Sequence, residues 1–180
     1  MADHCRDESR RPRDQTNSRL KGAPPMSMED VYLKPGHLIR RAQQIAVSIF
    51  FEECGSLDMT PVQYAALVAI RDNPGIDATR LSALVAFDRS TLGNVLERLE
   101  TKGFIRRTSS PDDKRIKILR LSPTGSTTLK AVEPLVRRVQ ERILAPLNPK
   151  DRQHFMRMLS QLVEINNEVS RVPLRTMNER

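Results

Sequence analysis

Between Thr60 and Leu121 the chain holds three short, separately capped apolar segments followed at once by two strand-like runs, an order that leaves few folds open. Thr60-Pro61-Val62-Gln63 is a capping-box arrangement with proline at the first helical position. It opens an apolar helix through Ile70 that stops near Asn73-Pro74-Gly75. Asp77 can cap a second helix that turns Leu81, Leu84 and Val85 inward. Asp88 can cap a third, with Leu92, Val95, Leu96 and Leu99 inward and Gly103 as its terminator. Residues 104–108 and 116–121 then read as strands. Ser109-Ser110-Pro111-Asp112-Asp113-Lys114-Arg115 joins them, giving a β-hairpin with a long charged tip.

The flanks are helical. Residues 34–54 carry Leu38, Ala42, Ile45 and Ile49 on one face, with Pro35 in the first turn and Gly55 as the stop. After Ser122-Pro123 the residues Leu129, Val132, Val136, Val139 and Ile143 recur at steps of three and four. Asn148-Pro149 opens a last helix with Phe155, Met158, Leu162, Ile165 and Val169 at the same steps. Two long seams exceed what one small lobe needs. Residues 34–54 and 123–170 are therefore expected to form a helical dimerisation bundle, with Val139, Ile143, Phe155, Met158, Leu162 and Ile165 at the homodimer interface. Residues 1–26 read as a flexible, mildly basic arm and 171–180 as a flexible end.

Helix, short helix, turn, short helix and basic hairpin, spanning 57–122, is the layout of a winged helix-turn-helix. The fold expected is mainly α with a small β-hairpin wing. Charge agrees: residues 88–120 hold nine Lys and Arg against five Asp and Glu, half of the formal net charge of +8 in under a fifth of the chain. That concentration suggests double-stranded DNA as partner. In the third short helix Arg89, Ser90, Thr91 and Asn94 lie opposite the apolar face, as short or forked hydrogen-bonding groups suited to base edges. Arg98, one turn on, suits a phosphate.

No run of 18 apolar residues occurs and the first 26 residues lack the apolar middle of a signal peptide, so a cytoplasmic protein without membrane contact is expected. The histidines, His4, His37 and His154, fall in a tail and two separate helices. With no Gly-rich phosphate loop or nucleophile elbow, neither an enzyme nor a metal or other cofactor is expected. Cys5 and Cys54 read as free thiols.

Asp113-Lys114-Arg115-Ile116-Lys117-Ile118-Leu119-Arg120-Leu121-Ser122 resembles the wing signature of the MarR family of transcription regulators. Leu96-Glu97-Arg98-Leu99-Glu100-Thr101-Lys102-Gly103-Phe104-Ile105 resembles the end of that family's recognition helix. The likeness spans roughly residues 34–170. It implies an obligate homodimer on a pseudo-palindromic operator, with repression relieved by a small aromatic or phenolic acid. It further implies that Lys114, Arg115 and Lys117 face DNA from the wing and that Arg115 enters the minor groove. Asp113 would then brace the wing by pairing with a cation of the hairpin or the recognition helix.

The family's ligand site lies between bundle and lobe, and helix 34–54 carries a polar stripe of His37, Arg41, Gln44 and Ser48 there. A buried guanidinium suits a carboxylate, so His37, Arg40, Arg41 and Gln44 are the expected clamp and Phe51, Met59 and Tyr64 the expected walls. Residues 33–42, Leu-Lys-Pro-Gly-His-Leu-Ile-Arg-Arg-Ala, are similar to regulators of aromatic or N-heteroaromatic acid breakdown. Two alternatives use the same features: a sequence-indifferent architectural DNA binder, and a redox sensor built on cysteine.

Overall fold

The computed structural model describes residues 25–176, in two compact units divided between Arg40 and Arg41. In the first, Ser27 and Asp30 form a reciprocal capping box that starts a short helix, α1 (Met28–Tyr32), too brief for apolar periodicity to mark it. Tyr32 meets His37 edge-on, with ring centroids 5.3 Å apart. Helix α2 (Pro35–Cys54) begins there and continues into the second unit.

The second unit builds the lobe. The expected capping box holds: Thr60 accepts from Gln63 N and Gln63 returns the bond to Thr60 N, each at 3.2 Å, opening α3 (Pro61–Asp72). Asp77 caps α4 (Ala78–Val85), and Asp88 caps α5 (Arg89–Thr101). Helix α3 lies against α4, α5 and α6 (Pro123–Leu144), so its Ala66, Leu67 and Ile70 form the centre of the core with Leu81, Leu92, Leu96, Leu99, Leu129 and Val132.

The hairpin is β2 (Ile105–Ser109) and β3 (Lys117–Leu121), paired antiparallel with Ile105 opposite Leu121 and Ser109 opposite Lys117. A third strand, β1 (Ile76–Asp77), pairs with the other edge of β3, so the sheet order is β1-β3-β2. At two residues, β1 is too short for alternation to reveal it. Its pairing of Ile76 with Leu119 covers an edge that would otherwise lie open.

Helix α6 departs from expectation. Leu129, Val132, Val136 and Val139 face this chain's own core, Val139 at 1% exposure, and Ile143 packs against that core half-buried. Val139 is thereby committed to this chain's own core rather than to the expected interface, while Ile143 keeps part of its surface open. Helix α7 (Pro149–Ile165) is the opposite case, with no buried residue and Phe155, Met158, Leu162 and Ile165 all exposed. It stops four residues before Val169, which falls in a 3-10 turn.

Where β3 runs into α6, Ser122 N donates to Phe104 O at 2.9 Å and Ser122 Oγ donates to Gly103 O at 2.5 Å. A Cβ on Gly125 would lie 2.0 Å from Phe104 O, a backbone atom that cannot swing aside. Gly125→Ala should therefore cost about 1–3 kcal/mol, read as a lower urea midpoint with unchanged slope.

Helix α2 is clamped to α6 by Glu53, whose carboxylate takes Arg142 at 2.8 Å and Arg138 at 3.0 Å. Those bonds, Arg142 first, hold the Glu53 carboxyl below its ordinary value of 4.5, so the folded chain binds fewer protons there than the unfolded one. The stabilisation is complete above that value and drains as pH falls through the lowered one. In thermal melts Glu53→Gln should lose stability at neutral pH, and its deficit should shrink steadily below pH 4.5.

Candidate nucleic-acid interface

Asp88 organises the start of α5. Its carboxylate accepts from Thr91 N at 2.9 Å, Ser90 Oγ at 2.6 Å and Thr91 Oγ1 at 2.7 Å. The Ser90 bond first, and then those from Thr91, push its pKa far below the ordinary range, so the group is an ionised acceptor at any physiological pH. Ser90 and Thr91 must then be the donors. The sequence marks them as hydrogen-bonding groups suited to base edges, and with their protons on Asp88 what remains to them is lone pairs. Arg89 and Asn94 are exposed on the same helix. Arg98 shares an open depression of about 500 Å³ with Asn94, Glu97, Thr101 and Lys102.

The other end of α5 is tied down twice. Lys102 Nζ meets Asp58 Oδ2 at 2.7 Å, and Glu100 meets Arg107 Nε of β2 at 2.9 Å. Neither pair was foreseen. Lys102 and Asp58 lie 44 residues apart, and Glu100 faces Arg107 only once Gly103, at φ +69°, has turned the chain from helix to strand.

At the wing, Asp113 Oδ1 accepts from Arg115 N at 2.9 Å and Asp113 O accepts from Ile116 N at 3.0 Å. The expected ion pair between Asp113 and a cation is not formed among the described residues. Aspartate's short side chain reaches the peptide N–H two residues on more readily than a distant guanidinium, so Asp113 closes the turn through the main chain. Lys114 and Arg115 are exposed, and Lys117 Nζ reaches Ser109 Oγ across the hairpin at 2.9 Å.

Several arginines outside α5 and the hairpin are paired. Around α2, α3 and α6, Arg71, Arg138 and Arg142 are engaged by Asp72, Glu133, Glu53 and Glu52. Of the nine between 88 and 120, only Lys102 and Arg107 form ion pairs among the described residues. Arg89, Arg98, Arg106, Lys114, Arg115, Lys117 and Arg120 keep their charge uncompensated, which is the condition for counterion-releasing contact with phosphate.

The MarR family model matches residues 59–117, from the start of α3 through the wing tip. The transcriptional regulator HosA of Escherichia coli O111:H- is 33% identical over 106 residues, covering 59% of this chain and 78% of HosA. The chain belongs to the MarR family. Its members are DNA-binding transcription regulators rather than enzymes.

Two solved structures extend the likeness to the whole MarR fold. Bordetella bronchiseptica BpsR, whose DNA binding is regulated by 6-hydroxynicotinic acid, aligns with TM-score 0.70 and 26% identity over 77% of this chain and 97% of BpsR. The transcriptional repressor CouR, solved on a 23-mer DNA duplex, aligns with TM-score 0.70 and 28% identity over 78% of this chain and 99% of CouR.

The expected ligand residues of this MarR protein fall in both units. In the first unit, His37 is half-buried against Tyr32 and Arg40 is exposed. In the second, Arg41 Nη1 donates to Gln44 Oε1 at 2.9 Å on an exposed face, Phe51 is 48% exposed, and Tyr64 is half-buried against the core. Met59 is no wall. Left-handed Asp58 turns the chain so that Met59 drops into the core at 1% exposure. Cys54 is fully buried, and burial first and the Glu53 charge second push its thiol up, away from the reactive thiolate a redox sensor needs. Cys5 lies outside the described residues.

If Asp113 shapes the wing tip through the main chain, Asp113→Asn, whose amide oxygen can still accept from Arg115 N, should keep most of the operator affinity that Asp113→Ala loses. Equal loss in both variants, measured by gel-shift titration at fixed salt, would assign the effect to the charge instead.

Proposed function

We propose that the chain is a homodimeric, sequence-specific repressor that a small aromatic acid releases from a pseudo-palindromic operator. The observation that carries the reading is the seven uncompensated cations of α5 and the hairpin, on a lobe whose other arginines are largely paired. In this reading residues 57–122 are the DNA-binding lobe, while 34–54 and 123–170 supply dimerisation. Helix α5 enters the major groove, where Arg89 and Asn94 offer forked contacts and Arg98 a phosphate contact. Ser90 and Thr91, held as acceptors, suit the amino groups of cytosine and adenine. Lys114, Arg115 and Lys117 follow the backbone, with Arg115 in the adjacent minor groove.

Helix α7 supports the dimer. Seven apolar side chains, Phe155, Met156, Met158, Leu159, Leu162, Val163 and Ile165, lie exposed at 37% or more along 17 residues. A contiguous apolar surface of that kind marks a partner site, and a second copy fits the family's symmetry. Phe155→Asp with Leu162→Asp should convert the dimer to monomer in sedimentation and abolish operator binding. A dimeric double variant would refute the seam.

For the effector, Arg41 with Gln44 is the fork available to a carboxylate, and Phe51 and Tyr64 are the aromatic candidates of the same unit. BpsR's response to 6-hydroxynicotinic acid favours that compound class. A ligand releases DNA only through differential affinity for the two states of the dimer, not through tight binding alone.

Two measurements test the reading together. The full chain should prefer DNA from upstream of its own gene over random duplex by about 1,000-fold or more at physiological salt. 6-Hydroxynicotinic acid or a related aromatic acid should raise its thermal midpoint and lower that affinity. Equal affinity for both duplexes would instead indicate an architectural DNA binder.

A further inference from the structure

The segment after α7 forms a closed loop. The Asn167 side chain brackets Leu174, its Nδ2 donating to Leu174 O at 3.1 Å and its Oδ1 accepting from Leu174 N at 2.9 Å. Glu168 receives the Arg175 guanidinium at two points, 2.6 and 2.8 Å. At the tip, Ser170 Oγ donates to Val172 O at 3.1 Å and accepts from Val172 N at 3.3 Å. These bonds join residues 167–175 to one another within the stretch expected as a flexible end from 171.

The loop has a fixed seat. Arg175 N donates to Ala83 O of α4 at 3.0 Å. Ser170, Arg171 and Val172 line a recess of about 200 Å³ with Ala86, Phe87, Asp88 and Thr91, which are the turn of the helix-turn-helix and the first turn of α5. The loop's arginines therefore have different tasks. Arg175 is spent on Glu168, whereas Arg171 is exposed at the tip and forms no ion pair among the described residues. None of the bonds named above uses the Arg171 side chain.

A helix entering a groove about 12 Å wide has a phosphate row on each flank. A cation held beside its first turn, outside the face that carries Arg89 and Asn94, meets that row rather than the bases. We propose that the loop of residues 167–175 is a third DNA-contacting element beside the recognition helix and the wing, and that Arg171 binds a backbone phosphate at the edge of the half-site. The loop is already ordered by its own bonds, so this contact costs little conformational entropy on binding. Phosphate contact adds affinity without adding sequence preference. The proposal rests on α5 being the groove helix.

Fluorescence-anisotropy titrations of the full chain with its upstream DNA, over a salt series, test it. Arg171→Ala should make the slope of log affinity against log salt shallower by about 0.9, which amounts to roughly eightfold weaker binding at 0.1 M salt that fades toward 1 M. The preference over random duplex and the thermal midpoint should not change, and Arg171→Lys should restore the slope. Wild-type affinity and slope in Arg171→Ala, while Arg89→Ala loses binding, would overturn the loop contact and leave the recognition helix in place. A lowered thermal midpoint with equal weakening at every salt would overturn it as well, since Arg171 would then be a structural prop. Absence of salt-dependent binding by the wild type would remove both the loop contact and the reading beneath it.

Discussion

Ser122 is 5% exposed, and its hydroxyl works in two directions: it donates to Gly103 O at 2.5 Å and accepts from Gly125 N at 2.9 Å. Three elements meet at that oxygen: the end of α5, the end of β3 and the start of α6. The contact is close enough that only glycine fits at 125, and the backbone bond from Ser122 to Phe104 closes the same joint. The end of α5 and the hairpin are therefore tied to one another through this joint. Their relative setting is fixed before DNA is met, with Glu100–Arg107 and Lys102–Asp58 as outer ties.

Charge is distributed unevenly around that joint. Arginines that join α2 to α6 and α3 to α6 are neutralised by carboxylates, whereas those on α5 and the hairpin, Arg107 apart, keep their field. Exposed ion pairs contribute little stability, so the pairing matters more for what it withholds from DNA than for what it adds to the fold. In the proposed repressor the Glu53 clamp has a second use. It joins the helix bearing Arg41 and Gln44 to α6, whose first turn rests on the Ser122 joint, so an effector that shifts α2 has a packed route to the recognition helix.

Local chemistry made most of the lobe legible. Thr60, Asp77, Asp88, Ser122 and Asn148 announce helix starts because a cap is a contact between near neighbours, and all five cap as side-chain acceptors. Apolar steps of three and four identified α6 and α7 but not their partners. The same pattern is buried within the chain in α6 and left open in α7, and spacing alone cannot separate the two. Asp113 shows the limit more finely: its bracing position was readable from its place before Arg115, while the choice of a peptide N–H over a cation depended on turn geometry. The 167–175 loop was illegible because its clamp joins residues seven apart through an asparagine amide, with no periodicity to mark it.

Hydroxyl-radical footprinting of the full chain on its upstream DNA tests the central claim most directly. A dimer that places one α5 in each of two successive major grooves should leave two symmetry-related protected patches, about 10–10.5 base pairs apart centre to centre. A single unpaired patch, or uniform protection that does not depend on sequence, would contradict it.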